Sequence, residues 1–326
     1  MTTTIPARPP FDPELAAALA VINESLPPTL TAEMIPSLRQ GMAEQRATDE
    51  ELSLGGAFVV GERLVPGPAG APEISLVIAR PAAAETAVGV IYHIHGGGMF
   101  LGHNRGHELV EQLGWARELE LAVASVDYRL APEHPHPAPV EDCYAGLTWV
   151  VENATELGID PDRVIITGSS AGGGLAASTA LLARDRGGPA LAGQMLLSPM
   201  LDDRNDTPSA HQMAGVGICD QASNELGWTS LLGDARGGAD VSPYAAAARA
   251  TDLSGLPPAF LDVGSAETFR DEAVTYAARL WQAGGQAELH VWPGGFHGFD
   301  LLASYAVLSQ AAKAQRLPWL RRVLGS

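Results

Sequence analysis

The sequence predicts an α/β protein, a mostly parallel sheet of eight strands with helices on both faces. Two observations carry that expectation. From about residue 56 onward, short β-rich runs alternate, over most of the later part, with segments of helical periodicity, and such alternation builds mostly parallel sheets covered on both sides. Glycine-dense turns also follow two of the apolar runs directly, as in "VIITGSSAGGG" at 164–174. Glycine inside a strand or helix costs roughly 0.5–1 kcal/mol relative to alanine, so such density requires a steric reason.

The eight runs are "GAFVVGERLV", "EISLVIARP", "VGVIYHIH", "LAVASVDY", "RVIITG", "GQMLLSP", "PAFLDVG" and "AELHVWP". Helical patterns separate most of the later ones: "HELVEQLGWAREL", "PVEDCYAGLTWVVENA", "GGGLAASTALLARD" and "DEAVTYAARLWQAG". Residues 1–50 look helical with proline breaks, and residues 202–248 hold no convincing strand. An insertion at the carboxyl edge of a parallel sheet is placed to cover a ligand crevice. The expected organisation is therefore a cap made of 1–50 and 202–248 around a core in two parts, 51–201 and 249–326.

Composition narrows the partners. A formal charge of −18 over 326 residues repels nucleic acid and anionic membrane surfaces. The two cysteines, Cys143 and Cys219, form no metal or disulfide pattern. The N-terminus lacks a charged region leading into an apolar one, and "LAAALAVI" is too short to span a bilayer. The expected location is the cytoplasm, without a membrane partner, and the chain is compatible with a homodimer.

The turn Gly168-Ser169-Ser170-Ala171-Gly172 lies between a strand and a helix, the setting of a G-x-S-x-G nucleophile elbow. Ser170 would project its Oγ from a strained turn, with the glycines clearing room for it. At the helix N-terminus, free N–H groups and the positive dipole end favour a developing oxyanion. A second loop, His95-Gly96-Gly97-Gly98, also follows an apolar strand. Its N–H groups can face a site unobstructed, and with the N–H of Ala171 they would form an oxyanion hole. Each motif has a bland reading, a helix cap or a flexible turn. Together they explain one another.

Two other readings fit less well. His93, His95, His103 and His107 have no carboxylate or cysteine at ligand spacing, which argues against a metal. "GSSAGGG" lacks the Lys-Ser/Thr ending of a phosphate loop.

A serine nucleophile needs a base, and the base an orienting carboxylate. His297, in the glycine-flanked loop "WPGGFHGFD", is the expected base, while His290 sits inside a strand. The carboxylates near the preceding strand are Asp262, Glu267, Asp271 and Glu272. Asp262 falls within the strand, Asp271 and Glu272 read as first-turn helix residues, and Glu267 occupies the loop.

With these residues assembled, the chain resembles the bacterial hormone-sensitive lipase-like family of α/β-hydrolase esterases from about residue 56 to its end. The marks are "HGGG" at 95–98, "DYRLAPEHPHPAPVED" at 127–142, "GSSAG" at 168–172 and "GGFHGF" at 294–299, in the family's order. Ser169 stands where many members have Asp or Thr. The resemblance implies an α/β-hydrolase fold with a helical cap and a carboxylesterase acting without cofactor on small-molecule esters of short to medium acyl chains. It aligns the family's acid with Glu267 in "ETFRDE", giving a triad of Ser170, Glu267 and His297 with oxyanion donors from Gly97, Gly98 and Ala171. Arg129 and Glu133 of "YRLAPE" are expected to pair beneath the oxyanion loop. Met99, Phe100 and Trp228 are expected to line the substrate pocket. Two rival functions use the same fold: amide hydrolysis by the same residues, and a non-catalytic receptor, which usually lacks a triad member.

Overall fold

The computed structural model describes residues 7–325; residues 1–6 of the expected N-terminal cap segment, and residue 326, lie outside the described residues. One eight-stranded sheet organises the chain: β1 (Phe58–Val65), β2 (Ile74–Pro81), β3 (Val88–Ile94), β4 (Ala122–Asp127), β5 (Ile159–Ser169), β6 (Gly193–Leu197), β7 (Ala259–Gly264) and β8 (Ala287–Trp292). The order across the sheet is β1-β2-β4-β3-β5-β6-β7-β8. β2 pairs antiparallel with both β1 and β4, and every later pairing is parallel. All eight expected runs are strands.

Both faces are covered, so β3, β6 and β7 are buried throughout and β5 is buried from Val164 to Gly168. In β5, Val164 and Ile166 enter one core and Ile165 the opposite one, the two-residue alternation of a pleated strand. The first core is closed by α5 (Ala138–Glu152), α7 (Ala171–Arg186) and α10 (Arg270–Gln282). α4 (His107–Leu119) and α12 (Val307–Leu324) close the second through Leu109, Leu113, Trp319 and Leu320.

The remaining helices lie mostly in the two segments that break the alternation. α1 (Pro13–Ile22), α2 (Ile35–Glu44) and α3 (Asp49–Leu52) precede the sheet. α6 (Ala154–Leu157) leads into β5, α8 (Pro208–Gln212) and α9 (Gln221–Leu232) fill the insertion after β6, and α11 (Phe299–Leu302) follows β8. The two irregular segments meet each other. Thr29 Oγ1 donates to Asp220 Oδ2 at 2.7 Å, Leu30 N to Ser223 Oγ at 2.8 Å, and Ser223 Oγ to Pro28 O at 3.1 Å. No helix among the described residues is long and apolar enough to cross a membrane.

Sheet register sets the site. Ile94 pairs with Gly168 and Ser169 with Leu197, so the chains leaving β3, β5 and β6 emerge side by side at the carboxyl edge. Gly264 pairs with Trp292, which brings the exits of β7 and β8 to the same edge.

Candidate active site

The elbow is built by backbone contact. Ser170 has φ 57° and ψ −122°, a region a non-glycine residue adopts only when its surroundings impose it. Ser170 N donates to Leu197 O at 2.8 Å and Met200 N to Ser170 O at 3.0 Å, which pins the turn to the end of β6. A Cβ on Gly172 would lie 2.2 Å from Ile94 O, and one on Gly168 would lie 2.4 Å from the Gly172 carbonyl. Any side chain at either position would push the helix off the sheet.

Ser170 Oγ lies 3.0 Å from His297 Nε2, and His297 Nδ1 lies 3.2 Å from Glu267 Oε1. Glu267 is fully buried, and its other oxygen accepts from Ser198 Oγ at 3.1 Å and Gly264 N at 2.8 Å. A carboxylate facing Nδ1 requires the proton there, which leaves Nε2 as the acceptor for the Ser170 hydroxyl. Phe269 meets the imidazole edge-on, with centroids 4.9 Å apart and planes at 80°.

Gly97 and Gly98 hold φ 113° and 62°. Leu101 N and Phe100 N close the turn onto Gly97 O at 2.8 and 3.1 Å. A Cβ at Gly97 would strike Leu101 O at 2.3 Å, so only glycine permits this loop. The N–H groups of Gly97, Gly98 and Ala171 have no acceptor among the described residues.

A cavity of about 260 Å³ opens on these groups, lined among others by Gly97, Gly98, Phe100, Ser170, Ser198 and His297. Phe100 thus takes part in the lining. Met99 and Trp228 do not: both are fully buried in the larger hydrophobic core. Met99 follows two turn glycines and has φ 69°, which directs it inward, and Trp228 sits beside Gly227, whose Cβ position lies 2.8 Å from Gly98 O. The pair expected of Arg129 and Glu133 does not form. Arg129 instead binds buried Asp142, with Nε at 2.8 Å from Oδ2 and Nη2 at 2.8 Å from Oδ1. Glu133 accepts from Arg39 on α2 at 2.7 and 2.9 Å. Arg39 also donates to Phe100 O and Ala131 O, both at 2.8 Å, which joins the N-terminal segment to the glycine loop.

Ser198 escaped the sequence reading. The only local indication was a polar residue at the carboxyl end of a strand neighbouring the elbow. Asp271 lies away from the imidazole: its Oδ2 accepts from Ser209 N at 2.8 Å and its Oδ1 from Arg270 at 2.7 Å. The other histidines of the region serve the framework. His95 stacks on Tyr128 at 4.2 Å with Nδ1 2.8 Å from Gly96 O, and burial lowers its pKa to about 3. His93 Nδ1 lies 3.0 Å from Ser125 Oγ. Among the described residues no group of three His, Cys, Asp or Glu could hold a metal ion.

Strand–elbow–helix geometry on a mostly parallel eight-stranded sheet defines an α/β hydrolase, and a family described as "alpha/beta hydrolase fold" matches residues 91–301. Carboxylesterase NlhH of Mycobacterium tuberculosis is 36% identical over 331 residues, covering 99% of each chain. Carboxylic ester hydrolase LipN of the same organism is 38% identical over 72% of this chain and 62% of its own. A solved structure titled Bacterial Heroin Esterase is 40% identical with a TM-score of 0.88, covering 97% of this chain and 98% of that one. Esterase LipW of Mycobacterium marinum superposes with a TM-score of 0.85 at 36% identity, over 97% and 98% of the two chains. The chain belongs to the bacterial hormone-sensitive lipase-like carboxylesterases of the α/β-hydrolase family.

Proposed function

We propose that this carboxylesterase works through a Ser170–His297–Glu267 triad and an acyl-enzyme intermediate, on esters of short to medium acyl chain. The observation that carries the reading is the hydrogen-bonded line Ser170 Oγ, His297 Nε2, His297 Nδ1, Glu267 Oε1, at 3.0 and 3.2 Å, facing a cavity that also exposes Gly97 and Gly98. His297 takes the Ser170 proton as Oγ attacks the ester carbonyl. The tetrahedral oxyanion accepts from Gly97, Gly98 and Ala171 N–H groups, donors fixed before the charge develops. His297⁺ protonates the leaving alcohol, and water repeats the cycle on the acyl group. Glu267 stabilises the imidazolium in both halves, and Ser198 with Gly264 N holds Glu267 in place.

The N-terminal segment and the insertion 202–248 act together as a cap over the cavity. Leu30, Ile218, Ser223 and Asn224 line it from those segments. At about 260 Å³ the space lies near the lower end of ligand pockets, roughly 300–1,000 Å³, which favours short acyl groups. Each further methylene contributes about 0.8 kcal/mol only until the pocket ends. A series of nitrophenyl esters of graded chain length tests this. Turnover should peak at short to medium chains and fall by roughly three to six orders of magnitude in Ser170→Ala, with Ser169→Ala retaining most activity. A peak on long-chain triglyceride emulsions, or a dead Ser169→Ala beside an active Ser170→Ala, refutes the reading.

A further inference from the structure

Glu267 lies in a loop of five residues, 265–269, between β7 and α10. The loop touches His297 twice: Glu267 Oε1 stands 3.2 Å from Nδ1, and Phe269 meets the ring edge-on. Thr268 sits between these two residues, so a shift of its backbone disturbs both contacts at once.

The two ends of the loop are held from different sides. Ser265 N donates to Trp292 O at 2.8 Å and Ala266 N to Gly295 O at 3.0 Å, which ties the start of the loop to the segment leading into His297. Past Glu267 the holds come from the insertion instead. Thr268 Oγ1 donates to Cys219 O at 2.8 Å, and Thr268 O accepts from Ser209 Oγ at 2.8 Å. Thr268 and Ser209 are both buried, where hydrogen bonds are electrostatically stronger than in water. Cys219 is fixed in turn. It has φ 52°, a left-handed conformation uncommon outside glycine, and stands between Ile218, which lines the cavity, and Asp220. The Asp220 carboxylate accepts from Thr29 Oγ1 of the N-terminal segment at 2.7 Å and from Ser223 N in the first turn of α9 at 2.8 Å. A line of bonds thus runs from the N-terminal segment through the insertion to the residue beside the acid.

We propose that Thr268 is a positioning residue for the reaction, one that keeps Glu267 and Phe269 against His297 by fastening their loop to the insertion. This rests on Glu267 being the acid of the triad. Ser198 Oγ and Gly264 N both donate to Glu267 Oε2, which fixes the far end of the side chain. The Thr268 hydroxyl fixes the backbone that carries it. Misplacement of a catalytic group by about 1 Å can cost on the order of 10²-fold in rate, so loss of this one bond should be felt in kcat rather than in substrate binding.

A double-substitution cycle on the full-length protein tests the proposal, with a nitrophenyl acetate as substrate and thermal unfolding as the check on folding. Thr268→Val replaces the hydroxyl by a methyl group of nearly the same shape, and Thr268→Ser keeps it. In Thr268→Val, kcat should fall about tenfold with KM changed by less than about twofold, and Thr268→Ser should stay within about twofold of wild type. A loss that acts through Glu267 disappears once the acid is gone. In the Glu267→Gln background, Thr268→Val should therefore cost about twofold or less, whereas a merely structural role would cost the same in both backgrounds. Thr268→Ala serves the same cycle where the valine variant does not fold. An unchanged kcat in Thr268→Val, an equal loss in both backgrounds, or a Thr268→Ser as slow as Thr268→Val overturns the proposal; beside a crippled Glu267→Gln each of these leaves the triad standing. A fully active Glu267→Gln overturns both.

Discussion

The turn at 168–172 and the cavity walls are held by different kinds of interaction. Around Ser170 the constraints are backbone against backbone: Gly172 packs its Cα against Ile94 O, and Ser170 N bonds to Leu197 O. The walls are held by side chains reaching across long stretches of sequence, Arg39 to Glu133 and Phe100, Thr29 to Asp220, Asp271 to Ser209. In the proposed mechanism the placement of Ser170 rests on the first kind, the line from His297 to Glu267 and Ser198 is itself made of side-chain bonds, and the shape of the cavity rests on the second kind. Substitutions in the two regions should therefore fail differently, one in the rate of reaction and the other in what reacts or how firmly the fold holds.

The largest effect that separates them is expected at Glu267. In Glu267→Gln the shape is kept while an amide facing Nδ1 favours the wrong tautomer, a change that costs about 10⁴ in kcat when made to the triad acid of a serine protease. The melting temperature should change little. A fully active Glu267→Gln beside a crippled, folded Asp271→Asn would move the acid to Asp271.

Next in size is a pH effect beneath the glycine loop. Burial lowers the His95 pKa from 6.5 to about 3, so between those values the unfolded chain binds a proton that the folded chain does not. Stability falls as pH drops through that window, by about 1.4 kcal/mol per pH unit from this group. Asp262 acts in the opposite sense: burial raises its pKa to about 6, so its contribution grows as pH falls from there toward 3.8. The difference between proteins isolates His95. Urea unfolding of wild type and His95→Asn at pH 7 and pH 4.5 should show the variant losing about 2–3 kcal/mol less between the two. Equal losses would remove His95 from the account.

A smaller effect bridges the two regions. Arg39→Ala deletes the bonds to Phe100 O, Ala131 O and Glu133, which loosens the loop carrying Gly97 and Gly98 without touching Ser170. Loss of kcat by roughly ten- to a hundredfold is expected, with KM less affected and Arg39→Lys recovering part of it. An unchanged kcat would show that the glycine loop holds itself. The smallest effect belongs to Asp271→Asn. It weakens a first-turn charge and the acceptor for Ser209 N, worth about 0.3–1 kcal/mol by thermal unfolding, with most activity kept.

The same contrast explains what the sequence disclosed. Strands β1–β8, the elbow and the glycine loop were legible because backbone demands leave local marks: apolar runs, and glycine where a Cβ has no room. Side-chain partnerships leave none. Arg129 and Glu133 stand four residues apart and invite pairing, yet Arg129 binds Asp142 and Glu133 binds Arg39, 94 residues away. Met99 and Trp228 were expected at the pocket by chain position and hydrophobicity, properties a core residue shares. Ser198 contacts Glu267 only because β6 and β7 lie side by side. None of this has a spacing to read.

The central claim is that Ser170 carries the acyl group between the two halves of the reaction. Rapid acid quenching of the protein during turnover of a nitrophenyl acetate, followed by mass analysis of its peptides, tests that directly. One acetyl group should appear on the peptide containing Ser170, build up with the burst of nitrophenol, and be absent from Ser170→Ala. Steady turnover with an acetyl group on another residue, or the same adduct in Ser170→Ala, would contradict it.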